Sequence, residues 1–355
     1  MQPSKISYKH LLVFRFSAMG DVALTVPAIR KVLDENNGLR ITLVTAPYFT
    51  PFFNGIKGLK VFPANFYKEY KGIKGLFCLY KDLAGLQKFD NIIDLHGVIR
   101  SYIVSLLFRL SGKKILRIDK GRKQKKEFIK GTSKIKLPHT TERYLEVFEK
   151  AGLNTGGGSL KGFIIEDHVL KTTKSILPLE IQQKDITWIG IAPMAKHALK
   201  RWDLSNFIGL MKRINKDHKV WFFFFGGGEH EKAEIDSLIS GVDNALNLTG
   251  KMSLEQEIAL ISSMQFMISM DSANMHISAL CGTPTISIWG GTHPGLGFSA
   301  LNQPETYSIQ IPQAELECRP CTVYGKGNCT RDDFACMKLI TSELVFKRLK
   351  KLNLL

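Results

Sequence analysis

The chain has 355 residues, more than one ordinary hydrophobic core accommodates, so we expect two domains. Hydrophobic residues make up 44% of the sequence and charged residues 23%, which is typical of a soluble globular protein and excludes a disordered or fibrous one. The sequence contains no run of about 18 apolar residues, and therefore no membrane span is predicted.

The first apolar run, LLVF, is short and is followed by Arg15, which is not typical of a secretory signal. We therefore expect a cytoplasmic protein whose contact with a membrane is at most peripheral. The net charge of +17 predicts an anionic partner, which in principle is a nucleic acid, a membrane surface or a phosphorylated substrate. The alternative is that the charge only makes a soluble surface basic and binds no particular anionic partner.

The first half of the chain alternates strand-like and helix-like segments. Short apolar runs bounded by turn residues predict strands over 11–16, 39–46, 90–97 and 113–118. Between them lie segments with helical spacing of apolar residues, one marked by Val26, Ile29 and Val32 and another over 101–110. Alternation of this kind predicts parallel strands joined by crossover helices.

The second half repeats the pattern. Strands are predicted over 186–193, 219–228, 266–273 and 283–292, and a helix over 203–214 with Asp203 as its N-cap. The fold class is therefore α/β, with two doubly wound domains over 1–175 and 184–340 and a linker within 154–185. We expect a C-terminal helix over 341–355 to pack back on the N-terminal domain.

The turn after the first strand is unusual. The stretch FRFSAMGDVALTVPAIRK, from Phe14 to Lys31, has one glycine where a dinucleotide-binding turn has the pattern G-x-G-x-x-G. An acid, Asp21, follows that glycine at the start of the next helix. Because this position lies at the carboxyl end of a strand, Asp21 is a candidate for chemistry. The alternative is an acid that the helix dipole favours there.

The stretch SMDSANMHISALCGTPTISIWGGTHPGLGF, residues 269–298, predicts a nucleotide site. Its first strand delivers Asp271 and Ser272 to the sheet edge where ligands bind in open α/β folds. The helix that follows presents backbone N–H groups, which favour a phosphate. The alternative is that Asp271 and Ser272 only cap this helix.

These stretches resemble glycosyltransferase family 9, the heptosyltransferases of lipopolysaccharide core assembly. The match to the family begins with Ser17, Gly20 and Asp21. The family patterns T-x-P-A-[IL], D-[ST]-G-x-x-H and G-x-T follow in order, although Ala273 stands where the family usually has glycine. Weaker matches are DLHGVIRSYIVSLLFRLSG, LKRWDLSNF, GGGEHEKAE and LTGKMSLEQ. Met194 and Ala195 replace two residues that are often hydroxyl-bearing in the family.

The resemblance implies a GT-B fold, in which two Rossmann-like domains with parallel sheets face a central cleft. It implies an inverting, metal-independent transfer of a sugar, heptose from ADP-heptose, to a glycolipid acceptor of the lipopolysaccharide-core type. The N-terminal domain would bind the acceptor and supply Asp21 as the catalytic base. Ser17, Arg100 and Arg143 are the candidate acceptor-binding residues. The C-terminal domain would bind the nucleotide sugar, and no cofactor is expected.

The resemblance also assigns a set of residues to the donor, with Lys200 on the phosphates and Glu231 on the ribose. The full donor set is Lys200, Glu231, Met252, Asp271, Ser272, Ala273, His276 and Thr292. The structural alternatives are a surface lysine for Lys200, a first-turn helix acid for Glu231, a core residue for Met252 and a helix histidine for His276. No D-x-D metal motif occurs in the sequence.

The run 113–136 contains eleven basic residues and only Asp119 and Glu127 as acids. By composition it is a solvated loop. With the family resemblance it becomes a clamp, in the acceptor domain, for an anionic glycolipid at the cytoplasmic face of the inner membrane. Nucleic acid is not expected as a partner, because the sequence has no helix-turn-helix, zinc-finger or aromatic-studded basic strand pattern.

Two further alternatives stay open from the sequence. Four cysteines, spaced C-x2-C-x7-C-x6-C, would suit either a structural zinc site or free thiols in a packed turn: Cys318, Cys321, Cys329 and Cys336. The function could instead be transfer from another nucleotide sugar, nucleic-acid binding through the basic run, or epimerisation of a nucleotide sugar on the same fold.

Overall fold

A computed structural model of the chain describes residues 10–133, 135–183 and 185–355. These residues fold into two compact units. The first contains the described residues up to Gly121 together with Pro138–Ile164, and the second contains Arg122–Leu137 and Ile165–Leu355.

The first unit is built on a parallel sheet of five strands in the order β3-β2-β1-β4-β5. The strands are β1 (His10–Phe14), β2 (Arg40–Thr45), β3 (Leu59–Pro63), β4 (Asn91–Asp94) and β5 (Lys114–Arg117). Leu11 to Phe14 are fully buried, as expected for a central parallel strand covered on both faces. The chain order reverses between β1 and β4, and Phe14 lies beside Asp94 at the carboxyl ends of these two strands.

The helices of the first half follow the crossovers of this sheet. They are α1 (Met19–Ala23), α2 (Thr25–Glu35), α3 (Gly72–Leu86), α4 (Ile99–Leu110), α5 (Arg122–Ile129) and α6 (Thr140–Lys150), with a 3-10 segment at Pro47–Phe53. Helix α6 packs against α2, whereas α5 belongs to the second unit. The basic run therefore does not lie wholly in the predicted acceptor domain. That expectation is corrected for residues 122–137.

The second unit has a parallel sheet of six strands in the order β11-β10-β9-β6-β7-β8. The strands are β6 (Thr187–Ala192), β7 (Val220–Phe224), β8 (Ala245–Asn247), β9 (Phe266–Met270), β10 (Thr285–Ile288) and β11 (Ser308–Ile309). The chain order reverses between β6 and β9, so their carboxyl ends lie side by side. This is the Rossmann order, and a ligand is expected outside that point.

The helices of the second unit cover its sheet. They are α7 (Asp167–Ser175), α8 (Leu204–Ile214), α9 (Gly228–Leu238), α10 (Leu254–Ile261), α11 (Ala273–Leu280), α12 (Ala335–Lys338) and α13 (Ser342–Lys351), with 3-10 segments at Leu179–Gln182, Ala198–Lys200, Pro294–Leu296 and Glu305–Tyr307. Asp203 accepts a hydrogen bond from the backbone N–H of Ser205, which confirms it as the N-cap of α8. Helix α7 packs on α10, so the main segment of the second unit, Ile165–Leu355, starts inside the predicted linker.

The predicted strands are confirmed to within a few residues, and three short strands were missed. These are β3, β8 and β11, each at the edge of a sheet. Strand β3 is mostly half-buried and ends in proline, and the other two have only three and two residues. Edge strands of this kind lack the continuous apolar run that marks a buried parallel strand. Within the described residues no helix is both long enough and apolar enough to span a bilayer.

Helix α13 corrects the expectation that the C-terminal helix packs on the N-terminal domain. It packs against α8, and its fully buried residues Val345 and Leu349 belong to the core of the second unit. Gly209 on α8 permits the close approach, because a Cβ atom there would lie 2.9 Å from Oγ of Ser342. The Trp202 indole N–H donates to the Ile340 carbonyl at 2.6 Å, just before the helix.

Removal of the Leu349 side chain tests this placement. Because the side chain is fully buried in the second unit, Leu349→Ala should lower the free energy of unfolding of that unit by about 2–5 kcal/mol. All four tryptophans lie in the second unit, so denaturant unfolding followed by tryptophan fluorescence reports on it alone. The exposed Lys347→Ala is the control and should change stability by no more than about 0.5 kcal/mol. An unchanged fluorescence transition for Leu349→Ala would contradict the packing on α8.

Candidate active site

The turn after β1 holds an accessible carboxylate against a buried cation. Asp21 lies in the first turn of α1, and its Oδ2 is 2.5 Å from Nη2 of Arg15. The Arg15 side chain is 6% exposed, whereas the Asp21 side chain is 37% exposed. The carboxylate is thus open to solvent while its partner is fixed inside the unit, so its orientation is set by Arg15 and not by a helix cap.

Arg15 and Tyr144 fix this turn from the interior. Nη1 of Arg15 donates to the Leu95 carbonyl at 2.8 Å, and the guanidinium lies 5.8 Å from the centre of the Tyr144 ring. The Tyr144 hydroxyl donates to the backbone carbonyl of Asp21 at 3.1 Å. Burial alone would lower the pKa of Arg15, but the neighbouring Asp21 carboxylate raises it above its ordinary value, so the cation stays charged. The sequence signal for Arg15 is a charge inside the apolar run LLVFRF.

The loop after β4 is organised by a buried carboxylate that the sequence analysis did not single out. Asp94 accepts from the N–H groups of His96 and Gly97, from the Ser101 hydroxyl, and from Nε of Arg117 at 2.7 Å. Because all of these donors shape the loop, Asp94 has a structural task. The loop carries His96, whose Nδ1 accepts from the N–H of Phe16 at 3.4 Å and so joins the β4 loop to the β1 turn.

His96 is neutral at physiological pH. Burial is the largest cause, and the nearby Arg15, Lys120 and Arg100 add to it, lowering the pKa of His96 to about 3. A neutral imidazole accepts a hydrogen bond at Nδ1, whereas a protonated one cannot. The contact with Phe16 therefore depends on the neutral form.

The three predicted acceptor-binding residues have different surroundings. Ser17 is half-buried in the same turn as Asp21. The Arg100 guanidinium lies 5.1 Å from the centre of the Phe66 ring and is partly exposed. Arg143 is only 5% exposed, and its Nη2 lies 2.5 Å from where a Cβ of Gly121 would be. Gly121, with φ of +59°, makes room for this guanidinium, so the structure gives Arg143 a packing role; acceptor binding by all three stays a prediction.

In the second unit, three predicted donor residues meet where the strand order reverses. Lys200 follows β6, Asp271 follows β9 and Thr292 follows β10. Nζ of Lys200 lies 2.8 Å from Oδ2 of Asp271, and the Thr292 hydroxyl donates to the same oxygen at 2.7 Å. The Lys200 side chain is 17% exposed and that of Asp271 is 7% exposed, so Lys200 is not an ordinary surface lysine.

Lys200 is held from two further directions. The carbonyl of its neighbour Leu199 accepts from the N–H of Gly291 at 2.9 Å, which ties the β6 loop to the β10 loop. Gly325, with φ of +82°, lies against the lysine stem, since a Cβ there would come within 2.8 Å of Cγ and Cε. A side chain at Gly325 would displace the ammonium, so the position of Lys200 depends on this turn.

The start of helix α11 lies beside this group. Ser272 is its N-cap in an extended conformation, but its side chain makes no capping hydrogen bond. Its hydroxyl instead lies 3.3 Å from that of Ser269. Ala273 is the first residue of the helix, and His276 is 8% exposed in it. The capping alternative therefore fails for Asp271 and Ser272, which leaves their polar atoms at the end of the sheet.

Glu231 and Met252 stand further along the second unit. Oε2 of Glu231 accepts from the N–H of Gly227, the N-cap of α9, at 2.7 Å. This contact supports the alternative that Glu231 is an acid in the first turn of the helix. Its other carboxylate oxygen takes no part in this hydrogen bond. Met252 is half-buried in the loop before α10. Their roles at the ribose and the base stay predictions.

The four cysteines of the C-terminal turn are free thiols. Burial raises the pKa of Cys321, and it raises that of Cys336 to about 11, so both are protonated at neutral pH. Among the described residues, no group of three or more His, Cys, Asp or Glu side chains is arranged to hold a metal ion. The turn is nevertheless close to the predicted donor residues: the N–H of Cys321 donates to the Gly291 carbonyl at 3.0 Å, next to Thr292.

Comparison with a solved structure identifies the fold class of this chain. The structure of heptosyltransferase WaaC of E. coli with ADP matches 96% of this chain and 99% of that chain, with a TM-score of 0.68 and 18% identity, so the fold is that of the GT-B glycosyltransferases. The model of glycosyltransferase family 9 (heptosyltransferase) matches residues 78–328, well over half of the sequence. The chain belongs to this family and is a glycosyltransferase.

Two relatives extend the match along the chain. Lipooligosaccharide heptosyltransferase 2 of Campylobacter jejuni is 26% identical over 346 residues, covering 94% of this chain and 96% of the relative. Lipopolysaccharide core heptosyltransferase OpsX of Haemophilus influenzae is 23% identical over 293 residues, covering 81% and 80%. The predicted family is confirmed.

The neutral state of His96 predicts a pH dependence of stability. Its pKa is lowered from 6.5 to about 3 on folding, so the unfolded chain binds more protons at intermediate pH. The stabilisation is present above pH 6.5 and is lost as the pH falls toward 3, by about 1.4 kcal/mol per pH unit. In His96→Asn the amide oxygen can accept from Phe16 without titrating. The stability difference between wild type and this variant should therefore fall by about 2 kcal/mol between pH 6.5 and 5 in denaturant unfolding.

The control for this measurement is His230→Asn, since the His230 side chain is 80% exposed. It should follow the wild-type curve. Parallel curves for wild type and His96→Asn would show that His96 is not buried in its neutral form.

Proposed function

We propose that the chain transfers a heptose from ADP-heptose to a lipopolysaccharide-core-type glycolipid, with inversion at the anomeric carbon and without a metal ion. Family membership and the relatives support the reaction class, because both relatives are named heptosyltransferases. The WaaC structure is described with ADP, which supports an adenosine diphosphate donor. The first unit would bind the acceptor and the second the donor.

The accessible Asp21 carboxylate is the observation that carries this proposal. In an inverting transfer the acceptor oxygen attacks the anomeric carbon, the bond from that carbon to the diphosphate breaks, and a base takes the hydroxyl proton. One base is enough, and Asp21 fits because 37% of its side chain is exposed and Arg15 fixes its orientation. Arg15 pairs with the carboxylate and Tyr144 binds the backbone carbonyl of the same residue, so both the side chain and the backbone of Asp21 are held in place.

The donor residues supply charge for the leaving diphosphate. Lys200 places a positive charge next to the start of α11, where backbone N–H groups favour an anion. In the structure its partner is Asp271, so phosphate binding would draw the ammonium from one anion to another. Cations of this kind take the place that a metal ion has in other glycosyltransferases. Glu231 would accept from the ribose hydroxyls.

Substitution of Asp21 tests the proposal. Asp21→Asn keeps the size of the side chain but removes the base, so turnover of ADP-heptose with a deacylated lipopolysaccharide-core acceptor should fall by about 100- to 10,000-fold. Binding of ADP-heptose, followed as a rise in melting temperature, should survive. The control is Asp34→Asn, an exposed carboxylate in the same unit, which should keep wild-type turnover.

Four other results would contradict parts of the proposal. Loss of turnover with EDTA would exclude the metal-independent mechanism. Stabilisation by UDP- or GDP-sugars but not by ADP-heptose would point to another donor, and isomerisation of the donor without an acceptor would point to an epimerase. No stabilisation by any nucleotide diphosphate would exclude the transferase assignment of the donor residues.

We also propose that an anionic membrane surface is a partner, through the outward side of α5. The inward side of α5 is docked on the second unit. Nζ of Lys125 lies 4.2 Å from the centre of the Phe298 ring, and the Phe128 ring lies 5.3 Å from that of His293. Leu137, after the helix, donates its N–H to the Gly295 carbonyl at 2.9 Å. The helix thus has a fixed position on the second unit.

An exposed basic patch is formed by the outward side of α5 and the residue that follows it: Arg122, Lys123, Lys126 and Lys130. Together with Glu127 these residues line a shallow depression of about 390 Å³. Ile135, just beyond the helix, is 76% exposed, as suits contact with a lipid interface. Because cations near an anionic bilayer contribute about 1 kcal/mol each, four of them account for about 4 kcal/mol of membrane binding. A lipid-linked acceptor on the cytoplasmic face of the inner membrane would then be presented to the enzyme.

Neutralising this patch tests the membrane proposal. The variant with Arg122, Lys123, Lys126 and Lys130 changed to Gln should lose about 100-fold or more of its binding to phosphatidylglycerol-containing vesicles in co-sedimentation. The matched control changes Lys212, Lys216, Lys338 and Lys351 to Gln, four exposed lysines elsewhere in the second unit, and removes the same net charge. Equal losses in both variants would show that total charge, and not α5, governs binding. Tight binding to RNA but not to vesicles would favour the nucleic-acid alternative.

A further inference from the structure

The cysteine-rich turn contributes a buried arginine to the loop beside the donor residues. Arg319, between Cys318 and Cys321, is 1% exposed. Its guanidinium donates four hydrogen bonds: from Nε to the Gly290 carbonyl at 2.9 Å, from Nη2 to the Thr292 carbonyl and the Gln310 side-chain oxygen at 3.0 Å each, and from Nη1 to the Ile311 carbonyl. One side chain therefore joins the β10 loop to the residues that directly follow β11.

A continuous set of contacts leads from Arg319 to Lys200. Arg319 fixes the backbone on both sides of Gly291 by binding the carbonyls of Gly290 and Thr292. The Thr292 hydroxyl donates to Oδ2 of Asp271 at 2.7 Å, and the same oxygen pairs with Lys200 at 2.8 Å. A shift of the Gly290–Thr292 backbone would therefore move the hydroxyl that orients Asp271, and with it the ammonium of Lys200.

We propose that Arg319 is a positioning residue for the donor site, which acts by holding the Gly290–Thr292 backbone so that Thr292 and Asp271 present Lys200 to the diphosphate of the donor. This inference rests on the proposed function in one respect, the assignment of the Lys200 group to the diphosphate. On this view the cysteine-rich turn serves to hold Arg319, whose planar guanidinium binds oxygens of two separate segments. This role requires neither zinc binding nor thiol chemistry.

The chemistry of the site requires a guanidinium. Its planar fork reaches four acceptors at once, whereas a lysine ammonium has a single nitrogen and cannot span them. Burial lowers the pKa of Arg319 to about 10, so the group remains a cation at neutral pH. Its four hydrogen bonds go to carbonyl and amide oxygens, so they leave its charge uncompensated next to a loop that is proposed to face phosphates.

The test compares ADP affinity by calorimetry in four variants. Arg319→Lys keeps the charge but loses the fork, and ADP binding should weaken about ten-fold. Thr292→Val breaks the contact with Asp271 but leaves the guanidinium and its four acceptors in place, and it should weaken binding to a similar extent. Because both act through one set of contacts, the double variant should bind ADP no more weakly than about the worse single variant. In Arg319→Ala, millimolar guanidinium chloride should restore much of the ADP affinity.

Gln310→Leu is the matched control, because it removes a hydrogen bond of Arg319 that does not lead to the β10 loop. It should change melting temperature more than ADP affinity. A merely structural Arg319 would give the opposite pattern: unchanged ADP affinity in Arg319→Lys, or losses that add in the double variant, and either result would overturn the inference. Should Arg319→Ala not fold, Arg319→Lys and Thr292→Val still decide the matter. Wild-type protein that does not bind ADP would instead overturn the proposed function, and the inference with it.

Discussion

The carboxyl ends of parallel strands define where the functional side chains of this enzyme can lie. In each unit the chain order reverses next to the first strand, between β1 and β4 in one and between β6 and β9 in the other. Loops leaving adjacent strands diverge at such a point, which leaves room for a ligand. Asp21 follows β1, and Lys200 and Asp271 follow β6 and β9. The same constraint therefore places the proposed base in one unit and the proposed donor group in the other.

Each unit uses a buried arginine to make such loops rigid. Arg15 binds the Leu95 carbonyl and the Asp21 carboxylate in the first unit, and Arg319 binds the Gly290 and Thr292 carbonyls in the second. Burying a cation is costly unless its hydrogen bonds are satisfied. The Arg319 guanidinium has four acceptors, and that of Arg15 has a carboxylate and a carbonyl, which offset the cost of burying each cation. Precise geometry is what a transfer reaction requires, because small displacements of reacting groups lower the rate strongly.

The residues that the sequence predicted and those it missed differ in kind. Lys200, Asp271 and Thr292 stand in short motifs next to predicted strands, and the structure brings their polar atoms together. Arg15 and Arg319 form their contacts with residues far along the chain, such as Leu95 and Gly290, which no local pattern reveals. Arg143 shows what a charge in the sequence leaves open. Its contact with the acceptor stays a prediction, and only the tertiary structure shows that it packs against Gly121 in the interior.

By itself the sequence determined the α/β class, the principal strands and the loops that carry Asp21, Lys200 and Asp271, because these depend on local periodicity and motif spacing. Only the tertiary structure decided which surface each amphipathic helix covers. An apolar stripe shows that a helix is packed, but not against what. For that reason α13 was expected on the first unit and lies on α8, and the basic segment 122–137 belongs to the second unit. The opening turn keeps one glycine and presents Asp21, and its fixed position comes from Arg15 and Tyr144, which only folding brings together.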